Sequence, residues 1–69
     1  MPLIVFEVGG ELSYDQKEEL VSKLTRGSAE VTGIPEEAFV VYIHENSRDN
    51  TGIGGKLLTR INAEKEESG

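Results

Sequence analysis

The chain has 69 residues, no cysteine, one histidine, and thirteen acidic against seven basic side chains, for a net charge of −6. This length predicts one domain (1–69), and the composition excludes a disulfide framework and a thiolate or all-histidine metal site. The acidic balance argues against nucleic acid and anionic membranes as partners, because both attract positively charged surfaces.

The first predicted element is a β-strand over residues 2–8. Its sequence, PLIVFEV, is rich in β-branched and aromatic residues and is followed by Gly9 and Gly10. It is nearly apolar on both faces, as expected of a strand that is covered on both sides. No apolar run approaches the roughly 20 residues of a membrane span, and the start lacks the basic region of a signal peptide. A cytoplasmic location is therefore expected.

A helix is predicted over residues 13–32. Ser13 and Gln16 have the spacing of a capping box, and Gly33 suits the position just after a helix. Gly27 lies inside the pattern, and we expect it to let the helix lie close to a sheet. The residues expected on the buried stripe recur at helical spacing: Leu20, Val21, Leu24, Ser28 and Val31.

A second strand is predicted over residues 39–45, FVVYIHE. Strand, helix and strand in this order form a βαβ unit with parallel strands, so the fold class is α/β, or α+β in some schemes. The segment 46–55 is polar and then glycine-rich. Its glycines are expected to supply the positive φ of a tight hairpin, since the spacing of a phosphate-binding loop is absent. We predict a short helical turn over 56–61 and a disordered acidic tail over about 62–69.

Such a subunit is not expected to be stable alone. A two-stranded parallel sheet under one helix leaves two open edges and one uncovered face. A chain this short also buries only roughly 60% of the surface that its unfolded form exposes. We therefore expect a homo-oligomer in which other copies of the chain cover the edges and the face.

Pro2 is the candidate catalytic residue. Methionine aminopeptidase removes Met1 when the next residue is small, which would turn the Pro2 nitrogen into a secondary amine. An α-amino group ordinarily has a pKa of about 7.7–8.0, so such an amine can act as a general base near neutral pH without a histidine. The alternative is that Met-Pro is a common start of a chain with no functional meaning.

Three parts of the sequence are informative in combination. They are Pro2 leading directly into a strand, Asp-Gln-Lys-Glu at 15–18, and Gly-Ile-Gly-Gly at 52–55. At these separations the chain resembles the 4-oxalocrotonate tautomerase family from residue 2 to about 60. The resemblance implies a βαβ subunit assembled as a homohexamer, a trimer of dimers, with the hairpin packing on a neighbour. It also implies an isomerase that moves a keto–enol proton on a small 2-hydroxydienoate or 2-oxo acid through Pro2, with no cofactor or metal.

Several positions depart from that family. Members active on 2-hydroxymuconate carry two arginines that hold the substrate, and these positions align on Leu12 and Val40. An aromatic residue beside the hairpin aligns on Thr51. The chain is more similar to a smaller subgroup around His44 and around the Asn-x-Gly-x-Gly-Gly-Lys segment that begins at Asn50. The resemblance therefore supports the proton transfer through Pro2 more strongly than it supports a dicarboxylate substrate.

Five other residues are considered as substrate-binding groups. Tyr42 and His44 share one face of the strand, and Tyr42 could donate a hydrogen bond to a developing enolate oxygen. Both could instead be surface or subunit-contact residues. Arg48 and Lys56 could hold a carboxylate from the loop or from a neighbouring subunit, or they could only make solvated ion pairs. Asn50 is included as part of the loop segment similar to the subgroup.

Two other functions stay open at the level of sequence. The missing arginines motivate a non-catalytic assembly or binding protein that keeps the tautomerase-like scaffold. Hydration or dehalogenation of an unsaturated acid is a further possibility, but it needs a carboxylate to activate water. No carboxylate is assigned to that role, because Glu7 and Glu45 at the strand ends are expected to face solvent.

Overall fold

The computed structural model describes residues 1–68 and the side chains of residues 1–65. The predicted strand–helix–strand order is confirmed, and a hairpin and a second helix follow it. Two 3-10 turns, Glu36–Ala38 and Arg48–Asn50, flank the second strand. The elements are β1 (Leu3–Gly9), α1 (Tyr14–Thr32), β2 (Val40–Asn46), β3 (Gly52–Ile53), β4 (Lys56–Leu57) and α2 (Leu58–Ser68).

β1 and β2 pair in parallel, as predicted. The register runs from Leu3 opposite Val40 to Gly9 opposite Asn46. It extends one residue further, because the Val40 N–H donates to the Pro2 carbonyl oxygen over 3.1 Å. Strand side chains alternate between faces. The half-buried set lies on the face that α1 covers: Ile4, Phe6, Val8, Val41 and Ile43.

α1 begins and ends as predicted. The Ser13 hydroxyl accepts from the Gln16 N–H over 3.1 Å, and the Gln16 side chain accepts from the Ser13 N–H over 2.9 Å. These reciprocal bonds satisfy two backbone donors that a helix start leaves unpaired. At the other end Gly33 has a φ of +76°, and its N–H donates to the Ala29 carbonyl oxygen over 2.9 Å.

The buried stripe of α1 differs from the prediction at its end. Val31 is 88% exposed, because a 19-residue helix is about 28 Å long and a seven-residue strand about 23 Å. Its last turn therefore extends past the sheet. The prediction for Gly27 is also wrong within one chain, since a Cβ there would meet no atom within 4 Å. The half-buried residues of α1 are Lys17, Leu20, Val21, Leu24, Thr25, Ser28 and Ala29.

The glycine-rich segment forms the predicted hairpin. β3 and β4 are antiparallel, with Ile53 opposite Lys56. Gly54 and Gly55 join them with φ values of +60° and +87°, the pattern of a two-residue turn that side chains rarely adopt. The helical turn predicted to begin at residue 56 begins only at Leu58, because β4 occupies the two preceding positions.

The C-terminal segment is helical where the sequence predicted disorder. Residues 62–68 continue α2, so the prediction is wrong for them, and Gly69 lies outside the described residues. Glu64 lies 3.2 Å from the Lys56 ammonium and 3.6 Å from Arg60 Nε, and the second of these pairs joins adjacent turns of the helix. Neither α1 nor α2, over the described residues, has the length and hydropathy of a membrane-crossing segment.

Glu45 connects the end of β2 to the start of α1. One carboxylate oxygen accepts from the Leu12 N–H over 2.9 Å, and the other lies 2.9 Å from the Lys17 ammonium. The bond to Lys17 lowers the pKa of Glu45, and the bond from Leu12 lowers it further. Glu45 is still an exposed residue, as expected, although its carboxylate makes these two contacts, and Glu7 is 64% exposed as expected.

The isolated chain has no core of its own. Of the residues that the structure describes, none is fully buried. A monomeric globule of 7.6 kDa exposes roughly 4,300 Å², whereas this chain exposes 5418 Å². The second face of the sheet, expected to be covered, is open: Leu3 is 58%, Val5 50% and Tyr42 54% exposed. The radius of gyration is 16.6 Å, against about 11 Å for a compact chain of this length.

Replacing Glu45 with glutamine should lower thermal stability at neutral pH. The amide cannot attract the Lys17 ammonium and accepts less strongly from the Leu12 N–H. Because folding lowers the pKa of Glu45 below its ordinary 4.5, its contribution is present above that pH and is lost as the pH falls through the folded-state pKa. The difference in Tm between wild type and Glu45→Gln, measured by calorimetry at one protein concentration, should therefore shrink in acid.

Glu19→Gln is the matched control. Glu19 also pairs with a lysine, Lys23, at 2.7 Å, but both side chains are more than 60% exposed on a single helix. Exposed pairs of this kind contribute little to stability. Equal losses of Tm in the two variants, or a loss in Glu45→Gln that persists unchanged in acid, would contradict the role assigned to Glu45.

Candidate active site

Pro2 is held at the amino end of the sheet. Its carbonyl oxygen accepts from the Val40 N–H over 3.1 Å, which places Pro2 beside the first residue of β2. Pro2 is half-buried, whereas Met1 is 95% exposed. The Pro2 nitrogen is an amide while Met1 is present. Loss of Met1 would uncover little surface and would convert this nitrogen into an amine at a partly sheltered position.

The sheet places only apolar side chains beside Pro2. Leu3 follows it in β1, and Val40 is its hydrogen-bonded neighbour in β2. Neither residue can bind a carboxylate or polarise a carbonyl oxygen. Within one chain, the neighbouring strand positions therefore supply no charged group to assist the nitrogen.

Tyr42 and His44 lie together on the exposed face of the sheet, as strand alternation predicts. Their ring centroids are 6.3 Å apart, and His44 Nδ1 lies 3.5 Å from a carboxylate oxygen of Glu7. Tyr42 is opposite Val5 and His44 is opposite Glu7. They are therefore roughly 10 and 17 Å along the strand from Pro2. The structure brings these two residues together but does not bring them to Pro2 of the same chain.

Arg48 and Asn50 lie in the 3-10 turn that follows β2. The Ser47 hydroxyl accepts from the Asp49 N–H over 3.1 Å at the start of this turn. The Ser47 carbonyl oxygen accepts from the Asn50 N–H over 2.9 Å. The backbone that carries Arg48 is therefore fixed by local hydrogen bonds, which orient it independently of the sheet.

α2 holds this turn from the other side. The Thr59 hydroxyl donates to an Asp49 carboxylate oxygen over 2.7 Å, and the Leu58 N–H donates to the Thr51 carbonyl oxygen over 2.7 Å. Residues 47–68, which we call the C-terminal arm, are thus a connected unit. Asp49 and Thr59 were not candidates from the sequence. Ser47 followed by Asp49 is a local turn signal, but nothing local identifies Thr59, which lies beyond the hairpin.

A shallow, open depression lies at the carboxyl ends of the two parallel strands, a common place for ligand sites in such sheets. Glu7, Asn50 and Thr51 are among the residues that line it, about 20 Å from Pro2 along the strands. Over the described residues, no three His, Asp or Glu side chains are grouped to hold a metal ion. The lining residues are Glu7, Val8, Gly9, Asn46, Asn50, Thr51 and Gly52.

Leu12 and Val40, which the resemblance noted from the sequence places at the positions of two arginines, lie at opposite ends of the sheet. Leu12 is at the carboxyl end, where its N–H donates to Glu45. Val40 is at the amino end, beside Pro2. Both side chains are half-buried and apolar. One chain therefore divides the candidate groups between two sites, with the nitrogen at one end and the polar depression at the other.

Comparisons with known proteins agree on one family. A family model described as "Tautomerase enzyme" matches residues 2–61. A probable tautomerase of Bacillus cereus is 37% identical over 59 residues, covering 86% of this chain and 97% of that protein. A 2-hydroxymuconate tautomerase of Bacillus subtilis strain 168 is 36% identical over 59 residues, covering 86% and 95%. The solved structure of YwhB, a homologue of 4-oxalocrotonate tautomerase, has a TM-score of 0.78 and 34% identity, covering 84% of this chain and 95% of that chain.

Replacing Thr59 with valine should loosen the turn that carries Arg48. Valine has a similar shape but cannot donate to the Asp49 carboxylate. Faster hydrogen exchange is expected at the amides of Asn50 and Thr51, by several-fold, while amides of β1 and β2 keep their rates. In the control Thr32→Val, the lost bond is local to the end of α1, and exchange in the turn should not change. Unaltered exchange in Thr59→Val would show that α2 does not hold the turn.

Proposed function

This chain belongs to the 4-oxalocrotonate tautomerase family and is a tautomerase, an isomerase enzyme, and we propose that its proton carrier is the amine of Pro2, exposed by removal of Met1. The observation that supports this proposal is the position of Pro2. Its carbonyl oxygen is fixed by Val40, the residue is half-buried, and only the exposed Met1 is bonded to its nitrogen.

The proposed substrate is a small 2-hydroxydienoate or the enol of a 2-oxo acid. The Pro2 amine accepts the proton of the 2-hydroxyl group as the oxygen–carbon bond becomes a carbonyl. The electron pair moves along the carbon chain, and the resulting ammonium donates its proton to carbon. Atoms and charge balance within one substrate molecule, and no oxidant or co-reactant is consumed. An amine with an ordinary pKa of about 7.7–8.0 can accept and return a proton near neutral pH.

We also propose that the active form is a homo-oligomer, and specifically the homohexamer that the family resemblance implies. The chain exposes about 1,100 Å² more than a compact monomer of its mass. This excess is larger than the ~800 Å² per partner that a stable interface buries. The open sheet face and the unpaired edges of β1 and β2 are the surfaces that another copy would cover.

Retention of a residue before Pro2 should reduce kcat/KM by at least about 100-fold, the lower range of what a positioned proton carrier contributes, because the nitrogen then stays an amide. The assay follows ketonisation of phenylenolpyruvate and of 2-hydroxymuconate by absorbance, after intact-mass spectrometry has confirmed that Met1 is absent. With the wild type, kcat/KM should rise with pH through the pKa of the amine, because only the neutral amine accepts a proton. Pro2→Ala is the control, since it keeps a free primary amine without the ring that fixes the nitrogen, and its kcat/KM should lie between those of the other two forms.

Full activity in protein that retains Met1 would rule out the amine as the proton carrier. Retention of the methionine in protein isolated from its native cells would have the same consequence. Comparison of the amide form with Pro2→Ala separates loss of the amine from a change of shape at position 2.

The assembly is tested by sedimentation. The wild type should sediment at about six times its chain mass of 7.6 kDa, and Val5→Lys should shift it to smaller species. Val5 is 50% exposed on the open sheet face, where a lysine is tolerated in a free chain but not under a packed partner. Ser22→Lys adds the same charge on the exposed side of α1 and should leave the assembly intact. A monomeric wild type would contradict the proposal.

A further inference from the structure

The proposed reaction leaves an electrostatic requirement that one chain does not meet. Its substrates are anions, and the protein carries a net charge of −6. The residues beside Pro2 are apolar, as are Leu12 and Val40 where family members carry arginine. An anion is poorly retained by an acidic protein unless a positioned cation holds it. A basic side chain must therefore reach the site from elsewhere.

Most basic side chains already interact with acids. Lys65 also interacts with another group of the chain, so it is not an unpaired cation. Among the lysine and arginine side chains that the structure describes, Arg26 and Arg48 are the two for which no ion pair or hydrogen bond is found. The pairs are Lys17 with Glu45, Lys23 with Glu19, and both Lys56 and Arg60 with Glu64.

The surroundings distinguish the two arginines. Arg26 borders an open depression together with Glu30 and Glu36, two carboxylates that compete for its charge. The acid next to Arg48 is Asp49, whose carboxylate already accepts from the Thr59 hydroxyl over 2.7 Å. The carboxylate next to Arg48 is thus hydrogen-bonded to α2 rather than paired with the arginine. The backbone of Arg48 is fixed by the turn and by α2.

Arg48 cannot reach Pro2 of its own chain. The length of β2 separates them by about 20 Å, which is longer than an arginine side chain. The C-terminal arm that carries Arg48 also exposes two apolar side chains, Ile53 at 58% and Leu57 at 50%. Together with the excess exposed area of the chain, these side chains favour docking of the arm on another copy rather than on its own sheet.

We propose that Arg48 of one copy binds the substrate carboxylate at the Pro2 of another copy. The inference rests on the proposed role of Pro2. A guanidinium can hold a carboxylate through two parallel hydrogen bonds, which fixes orientation as well as charge. The site would then be incomplete in any single chain, and the substrate class it accepts would be small 2-oxo or 2-hydroxy acids with a free carboxylate.

Arg48→Ala should lower kcat/KM for 2-hydroxymuconate by about 10–100-fold, mainly through a higher KM, because a charge-assisted hydrogen bond to the carboxylate is lost. Arg48→Lys should recover part of the loss, since a lysine keeps the charge without the paired geometry. Arg26→Ala is the matched control and should change kcat/KM by less than about twofold, as expected for an arginine outside the site. Sedimentation of each variant confirms that the assembly is intact.

A binding measurement separates this inference from the proposed role of Pro2. Muconate lacks the 2-hydroxyl group and cannot tautomerise, so its affinity for the protein reports carboxylate binding alone. In a calorimetric titration, muconate should bind more weakly to Arg48→Ala than to the wild type. Its affinity for Pro2→Ala should equal that of the wild type. Equal binding in wild type and Arg48→Ala would overturn the assignment of Arg48 while leaving Pro2 intact. Full activity in protein that retains a residue before Pro2 would instead overturn the proposed function.

Mixed oligomers test whether the two residues come from different copies. Chains that retain a residue before Pro2 and Arg48→Ala chains, co-expressed with different tags and purified through both, should show about a quarter of the wild-type activity, more than either parent. In a random mixture about a quarter of the sites would combine an intact Pro2 from one chain with an intact Arg48 from another. If both residues served a site within one chain, no site would be complete, and the activity would not exceed that of the Arg48→Ala parent.

Discussion

The backbone hydrogen bonds between β1 and β2 begin at Pro2, whose carbonyl oxygen accepts from the Val40 N–H, and continue in parallel register to Asn46. This pairing fixes Pro2 at one end of the sheet and the turn carrying Arg48 beyond the other. Because parallel strands keep their starts together and their ends together, the nitrogen and the polar depression are about 20 Å apart in every copy. The division of candidate groups between two ends follows directly from the strand direction.

The same two-stranded sheet is too small to enclose a core. α1 covers one face, and the other exposes Val5 and Tyr42. In this chain the reacting amine can be sheltered from solvent only if other copies pack over it. On the proposed mechanism, folding, assembly and catalysis therefore depend on one another. The acidic composition adds a second constraint, since few basic side chains remain uncommitted to carboxylates. A positioned arginine from another copy would meet both constraints, because it arrives with the surface that covers the site.

Local physical signals made much of this chain predictable from its sequence. The capping box of Ser13 and Gln16, the positive φ of Gly33 and the two-residue turn at 54–55 all arise from neighbouring residues, and each is observed. Strand alternation placed Tyr42 and His44 on one face. The predictions were wrong where packing between residues far apart in the sequence determines the structure. The C-terminal helix forms although acidic composition alone argued against it, and the face of Gly27 proved open.

The sequence by itself determined the element order, the parallel βαβ unit, the hairpin and the family, because periodicity, caps and glycine positions act over a few residues. Only the tertiary structure decided which groups meet. It brought Glu45 into a hydrogen bond with Leu12, 33 positions away in the sequence. It also brought Asp49 into a hydrogen bond with Thr59, which lies beyond the hairpin. It also showed that Pro2 and Arg48 of one chain lie far apart. Such contacts depend on how whole elements are placed relative to one another, and no local pattern of residues encodes that placement.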